Sequence, residues 1–204
     1  MSTVAPDKLQ ARADRKTRKR QEKKDQIARS AMQALQELGY ANTSLRDIAA
    51  KADLSLGMLH YYFEDRTQLI LHCVSLYKAA FISGLEEALS DASGREPVIN
   101  ALANALATSI VEDASTHRLW YDIRGQALFD PAFRPMVREL EAALIGVVES
   151  AAEKTGSARP DMGEFGYALI DGVFRYQMQN QLTGTPRDHQ SLATEMRALL
   201  EKLF

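Results

Sequence analysis

Between Gly39 and Phe63 the chain has room for only two short helices, and that limits its fold more than any other feature. Upstream, Ile27, Ala31, Met32, Leu35 and Leu38 recur at helical spacing from about Glu22, and Gly39 can close that helix. Thr43 and Ser44 can cap a second helix, "LRDIAAKA", with Leu45, Ile48 and Ala49 on its inner face. A Ser55-Leu56-Gly57 turn then opens a third, at about 56–62. Two brief helices joined by a turn of about four residues form a helix-turn-helix. Asp65 can cap a long fourth helix to about Leu89, and further helices are expected at about 96–112, 115–128, 131–155, 161–182 and 187–203. Asp130-Pro131 and Arg159-Pro160-Asp161 are helix-start signals, and Thr183 to Pro186 breaks the last two helices apart. No stretch alternates as a strand would, and no segment repeats. The expected fold is all-α, with about nine helices.

The third helix carries His60, Tyr61, Tyr62 and Phe63 in succession, and a helix this short cannot bury four consecutive rings. Leu59 and Phe63, four apart, can anchor it inward. His60, Tyr61 and Tyr62 then spread over the remaining face, where polar tips can reach phosphate oxygens and rings can pack on sugars and thymine methyls. Short helices with aromatics also occur as plain core, and helix-turn-helix units occur in proteins that never touch nucleic acid. Charge weighs against the plainer reading. Residues 1–30 carry ten Lys/Arg against four acids, whereas the rest of the chain carries fifteen against twenty-three. A basic head on an acidic body suits a polyanion at one end only.

Other classes find little support. No apolar run approaches the roughly 20 residues that cross a bilayer, and no apolar stretch follows the basic N-terminus as a secretory signal requires. The single Cys73 lies in "LILHCVSLY" and reads as a reduced core thiol, so a cytoplasmic home is expected. His72 is expected to pack or cap, and His117 to lie on the surface. Without Cys/His metal spacing, a phosphate-cradling glycine loop or a nucleophile elbow, neither an enzyme nor a metal or other cofactor is expected.

Residues 24–70 resemble the TetR family of bacterial transcriptional regulators, through "GYANTSLRDIAAKA", Ser55-x-Gly57, "YYF" and the following R-x-x-L. The resemblance implies that Thr43, Ser44, Ser55, Gly57, Tyr61, Tyr62 and Arg66 contact double-stranded DNA. Lys23, Lys24, Arg46, Leu56, Met58 and His60 complete the expected DNA surface. Leu56 stands where the family often has a polar or basic residue, and His60 where tyrosine is usual, so base preference does not carry over. The implied plan is a basic flexible arm (1–21), a helix-turn-helix domain (22–66) and an effector-binding and dimerisation domain (67–204).

Within the last of these, "LWYDIRGQALFDPAFR" (119–134) and "ALIDGVF" (168–174) resemble the betaine-regulator subgroup more weakly. Trp120, Tyr121, Arg124, Phe129, Phe174 and Gln177 are the expected contacts of a small-molecule effector. Arg124 could instead pair with a protein carboxylate such as Asp122, Asp171 or Glu139. Phe165, Leu169, Gly172, Val173 and Tyr176, with Leu192, Met196, Leu199 and Leu203, form two stripes expected at a homodimer interface, or else within the chain's own core. The function implied is a dimeric repressor that binds a palindromic operator and is released by an effector. The alternative is a helix-turn-helix that docks a protein instead of DNA.

Overall fold

The computed structural model describes residues 8–204, with side chains from residue 10 onward. The first seven residues of the expected arm lie outside that range. Eight α-helices follow one another: α1 Lys8–Leu38, α2 Leu45–Lys51, α3 Leu56–Tyr62, α4 Arg66–Ser90, α5 Arg95–Gln126, α6 Arg134–Thr155, α7 Met162–Thr183 and α8 His189–Leu203. A single 3-10 turn, Pro131–Phe133, precedes α6. No strand occurs among the described residues. The chain divides into two compact units, residues 1–73 and 74–204.

Two expectations about helix number and length are corrected. The helices expected at about 96–112 and 115–128 are one continuous α5, so the described residues hold eight α-helices and not nine. Glu112 to Thr116 interrupts the apolar pattern, but it holds neither Gly nor Pro, and nothing in it breaks the backbone ladder. α1 likewise begins at Lys8, well before its apolar stripe. Residues 8–26 are mostly Lys, Arg, Gln, Glu, Asp and Ala, with strong helix formers predominating, and pairings one turn apart link Gln21 to Asp25 (2.9 Å) and Arg18 to Glu22 (3.7 Å). Periodicity locates a buried face and is silent about helix that buries nothing.

In the first unit, Ile27, Ala31 and Leu35 of α1, Ile48 of α2, Leu59 of α3, Phe63 and the α4 residues Leu69 and Ile70 are buried as a core. Cys73 joins it, its thiol facing the Ala28 carbonyl at 3.5 Å, and burial pushes its pKa up to about 12. A thiol held neutral in this way is inert. His72 pairs with Asp25 at 2.9 Å and packs against Phe63.

In the second unit α5 packs along α6, α7 and α8, and α7 packs on both α6 and α8. Lys154 near the end of α6 donates to the carbonyls of Leu89, Ser90 and Ala92, which satisfies acceptors left open where α4 stops. α4 has a mean hydropathy of 1.3 over its most apolar window, enough by length and composition to cross a bilayer. Its apolar residues Val74, Ile82, Leu85 and Leu89 are instead buried in the protein.

His117 is wholly buried, not on the surface. Its Nδ1 meets the Tyr77 hydroxyl, its Nε2 lies 2.6 Å from the Ser109 hydroxyl, and the rings of Phe81 and Phe174 close over it. Burial, and then the charge of Lys78, hold its pKa well below the usual 6.5. The unfolded chain therefore takes up the proton first as pH falls. Stability should be unaffected by this residue above about pH 6.5 and should decline below it, at up to about 1.4 kcal/mol per pH unit. Denaturant titrations of the wild type and His117→Gln between pH 5 and 8 test this, because the difference between them should shrink toward low pH.

Candidate nucleic-acid interface and effector cavity

The helix-turn-helix is set by two serine caps. Ser44 caps α2: its hydroxyl accepts from the Asp47 amide, and Asp47 accepts from the Ser44 amide at 2.8 Å, a reciprocal capping box. The Ser44 hydroxyl also donates to the Asp47 carboxylate at 2.5 Å, and that bond first, then the one from the Ser44 amide, keeps the Asp47 carboxyl below its usual pKa. Ser55 caps α3 by accepting from the Met58 amide at 3.2 Å. Between them the chain turns through Asp53, whose φ of 52° is left-handed. Gly57 was expected in the Ser55-Leu56-Gly57 turn. That glycine instead lies within α3, on the surface, with nothing within 4 Å of where its Cβ would be. It leaves bare backbone close to the start of the helix.

α3 sorts its side chains as its spacing predicts. Leu59 and Phe63 are each 1% exposed, Tyr61 is 60% exposed, Met58 and His60 are exposed, and Leu56 and Tyr62 are half-buried. Tyr61 and Tyr62 meet edge to face at 5.0 Å. Arg20 of α1 reaches the Tyr61 carbonyl at 3.4 Å and sits over its ring at 5.6 Å. Lys24 lies over the Phe63 ring at 4.9 Å, and Lys23 bonds Gln26 at 2.9 Å. Ser44, Arg46 and Ser55 are exposed.

Two expected DNA contacts are engaged within the chain. Thr43 is buried, and its hydroxyl donates to the Gly39 carbonyl at 2.7 Å, tying the end of α1 to the start of α2. Arg66 donates Nε to the Thr43 carbonyl at 2.8 Å and another guanidinium nitrogen to the Tyr40 carbonyl, and it stacks on the Tyr40 ring at 4.2 Å. Its hydrogen bonds brace the loop between α1 and α2. In both cases a polar side chain serves backbone groups that would otherwise be unpaired.

In the second unit a cavity of about 40 Å³ is lined by Lys78, Phe81 and Leu85 of α4, Leu102, Leu106 and Tyr121 of α5, three α6 side chains, and Tyr167, Ile170, Asp171 and Phe174 of α7. Of the expected effector contacts, Tyr121 and Phe174 line it. Arg124 stands behind the wall, paired with Asp171 at 2.7 Å and Glu141 at 2.8 Å, so the carboxylate alternative holds for it. Phe129 is corrected: it is 83% exposed on the loop after α5 and does not line this cavity. Trp120 is buried beside Lys78 but is not in the cavity wall, and buried Gln177 bonds Glu195 on α8 at 2.5 Å. Lys78, in "SLYKAAF", was missed. Its signal was a charge in register with the buried Val74 and Ile82, four residues to either side.

The two dimer stripes differ. On α7, Phe165, Leu169, Gly172 and Tyr176 are exposed and Val173 is half-buried. On α8, Leu192, Met196 and Leu203 are buried in the chain's own core, which removes them from any interface, while Leu199 is half-buried. Gly163 and Gly166 also serve packing within the chain, where an added Cβ would strike Glu149 and Val148 respectively.

A helix-turn-helix with an exposed aromatic face and a basic flanking helix has the geometry of a DNA-binding unit. Residues 27–73 match the model of the bacterial regulatory proteins of the tetR family. The transcriptional regulator PksA of Bacillus subtilis is 24% identical over 164 residues, which is 78% of this chain and 80% of that protein. A TetR transcription regulator from Haloarcula marismortui superposes with a TM-score of 0.69 at 16% identity, over 90% of this chain and 96% of its own. The multidrug binding protein EbrR in complex with proflavin superposes with a TM-score of 0.60 at 25% identity, over 89% of this chain and 99% of its own. Residues 27–73 thus match the helix-turn-helix of the tetR family, and the chain shares the fold of solved regulators along most of its length.

Proposed function

We propose that the protein is a homodimeric repressor that places α3 of each chain in successive major grooves of a two-fold symmetric operator and lets go when an effector enters the second unit. The observation that carries the DNA contact is the sorting of α3. With Leu59 and Phe63 holding it from within, Met58, His60 and Tyr61 present an apolar and polar face that the chain itself leaves uncovered. Ser44, Arg46, Ser55, the Gly57 backbone, Leu56 and Tyr62 complete the face, with Lys23 and Lys24 on the phosphates. In this reading residues 22–66 bind DNA and 67–204 sense and dimerise. Dimerisation through the exposed α7 stripe gives the paired helices a fixed spacing of about 34–36 Å on plain B-DNA. The drug-bound EbrR structure supports a sensing role for the second unit, and the likeness of 119–134 and 168–174 to the betaine-regulator subgroup extends to that half without its ligand. Selection on random DNA should return a palindrome. A pool that stays random, or that yields a single half-site, would defeat the proposal.

The first part of α1 contributes charge. Residues 10–22 are exposed and basic, and one of them, Arg20, already touches α3. Deleting residues 1–19 removes six Lys/Arg and keeps Arg20. The shortened protein should retain its preferred sequence but bind more weakly. Its dependence on salt should be shallower, by about 0.9 in log-log slope for each phosphate that the protein no longer neutralises. Titrations at several salt concentrations measure that slope.

A further inference from the structure

Lys78 is 2% exposed yet lines the cavity of the second unit. A buried ammonium normally needs a carboxylate partner. Here its near neighbours are rings, Phe81 at 4.6 Å, Trp120 at 4.8 Å and Tyr77 at 5.4 Å. Asp171, on the same wall, has both carboxylate oxygens engaged, one by Arg124 at 2.7 Å and one by the Tyr121 hydroxyl at 3.0 Å. Burial accordingly draws the Lys78 pKa down to about 7, against the pull of Asp171 and with the push of Arg124. Two donors are buried without a hydrogen-bond partner: the Tyr167 hydroxyl in the cavity wall and the indole nitrogen of Trp120, whose ring lies against Lys78. The rest of the wall is apolar, with Leu85, Leu102, Leu106, Leu144, Val147 and Ile170 on four helices.

Donors in want of acceptors at one place, and hydrocarbon elsewhere, specify the complement. We propose that this cavity takes a monocarboxylate with an apolar body, its carboxylate accepting from Lys78 and Tyr167 and its body lying among the leucines and valines. The proposal rests on the reading of the second unit as a sensor. A cationic ligand would face Lys78 with no free carboxylate to offset it. A neutral alcohol would offer one oxygen where two donors wait. The present volume holds only two or three waters. A ligand of any length must therefore part the helices that carry the wall, which include α4. That displacement is what a ligand needs in order to favour one conformer over another.

Isothermal titration of the full chain with octanoate, 1-octanol, octylamine and proflavin tests the ligand class. Octanoate should bind at least tenfold more tightly than octanol, and octylamine more weakly than either. Lys78→Met should bring octanoate and octanol to parity, Lys78→Arg should restore much of the difference, and Tyr167→Phe should cost octanoate several-fold. Lys78→Met removes a buried charge, so it is expected to fold. The octanoate–octanol comparison on the wild type stands without it. Equal binding of octanoate and octanol, or an undiminished preference in Lys78→Met, would overturn the carboxylate assignment. Binding of proflavin or octylamine alone would overturn it while leaving the sensor reading intact, and no binding by any of the four would count against both.

Discussion

Phe63→Ala should destabilise the first unit by about 3–5 kcal/mol, the usual range for truncating a buried phenylalanine. Phe63 is 1% exposed and closes the C-terminal end of α3, its amide donating to the Leu59 carbonyl at 3.0 Å. Its ring lies against His72 and under Lys24. Removing it leaves Leu59 as the one fully buried anchor of α3, and seven residues of helix have no independent stability. Tyr61→Ala, two positions away, should change stability by no more than about 0.5 kcal/mol, yet weaken operator binding markedly. Urea titrations beside DNA titrations on both variants separate the two roles. A stability loss in Tyr61→Ala comparable to that in Phe63→Ala would put that ring in the core and remove it from the groove.

Charge on the α7 stripe should abolish specific DNA binding altogether. Phe165 and Leu169 are one turn apart and exposed, with Gly172 and Tyr176 continuing the line. Phe165→Glu with Leu169→Glu costs a lone chain little, because both positions already face water. In a dimer the same change buries two unpaired carboxylates on each side, which an interface cannot absorb. Sedimentation should show a dimer for the wild type and a monomer for the double variant. The variant should retain only weak, salt-sensitive binding through its intact helix-turn-helix. A wild-type monomer at micromolar concentration, with or without operator, would exclude the arrangement.

The contrast between α7 and α8 shows how far the sequence could be read. Both helices carry an apolar stripe at helical spacing, which marks an apolar face on each. It does not say what buries that face. Leu192 and Met196 turned out to serve the chain's own core, while Phe165 and Tyr176 stayed exposed. The helix-turn-helix was more legible because its signals are local: serine caps, a short turn, and two inward residues four apart. Arg66 was less legible for the opposite reason: the carbonyls it serves, those of Thr43 and Tyr40, lie 23 and 26 residues away in sequence. Lys78 escaped notice, and His117 was placed on the surface, because a single polar residue in an apolar stretch reads as noise until its neighbours from other helices are known.

The buried chain from Tyr77 through His117 to Ser109 has a consequence for how α4 and α5 can move. Tyr77 stands on α4, while Ser109 and His117 stand on α5, so their hydrogen bonds fix one register between the two helices. A slide of less than a full turn would leave the phenol and the imidazole unpaired in an apolar interior. Intermediate positions are therefore penalised, and the helix pair has detents where a purely apolar contact would allow drift. Displacement of α4 along α5 should come as a jump between discrete settings and not as a graded creep, which would make the protein's answer to a ligand closer to a click than to a dial.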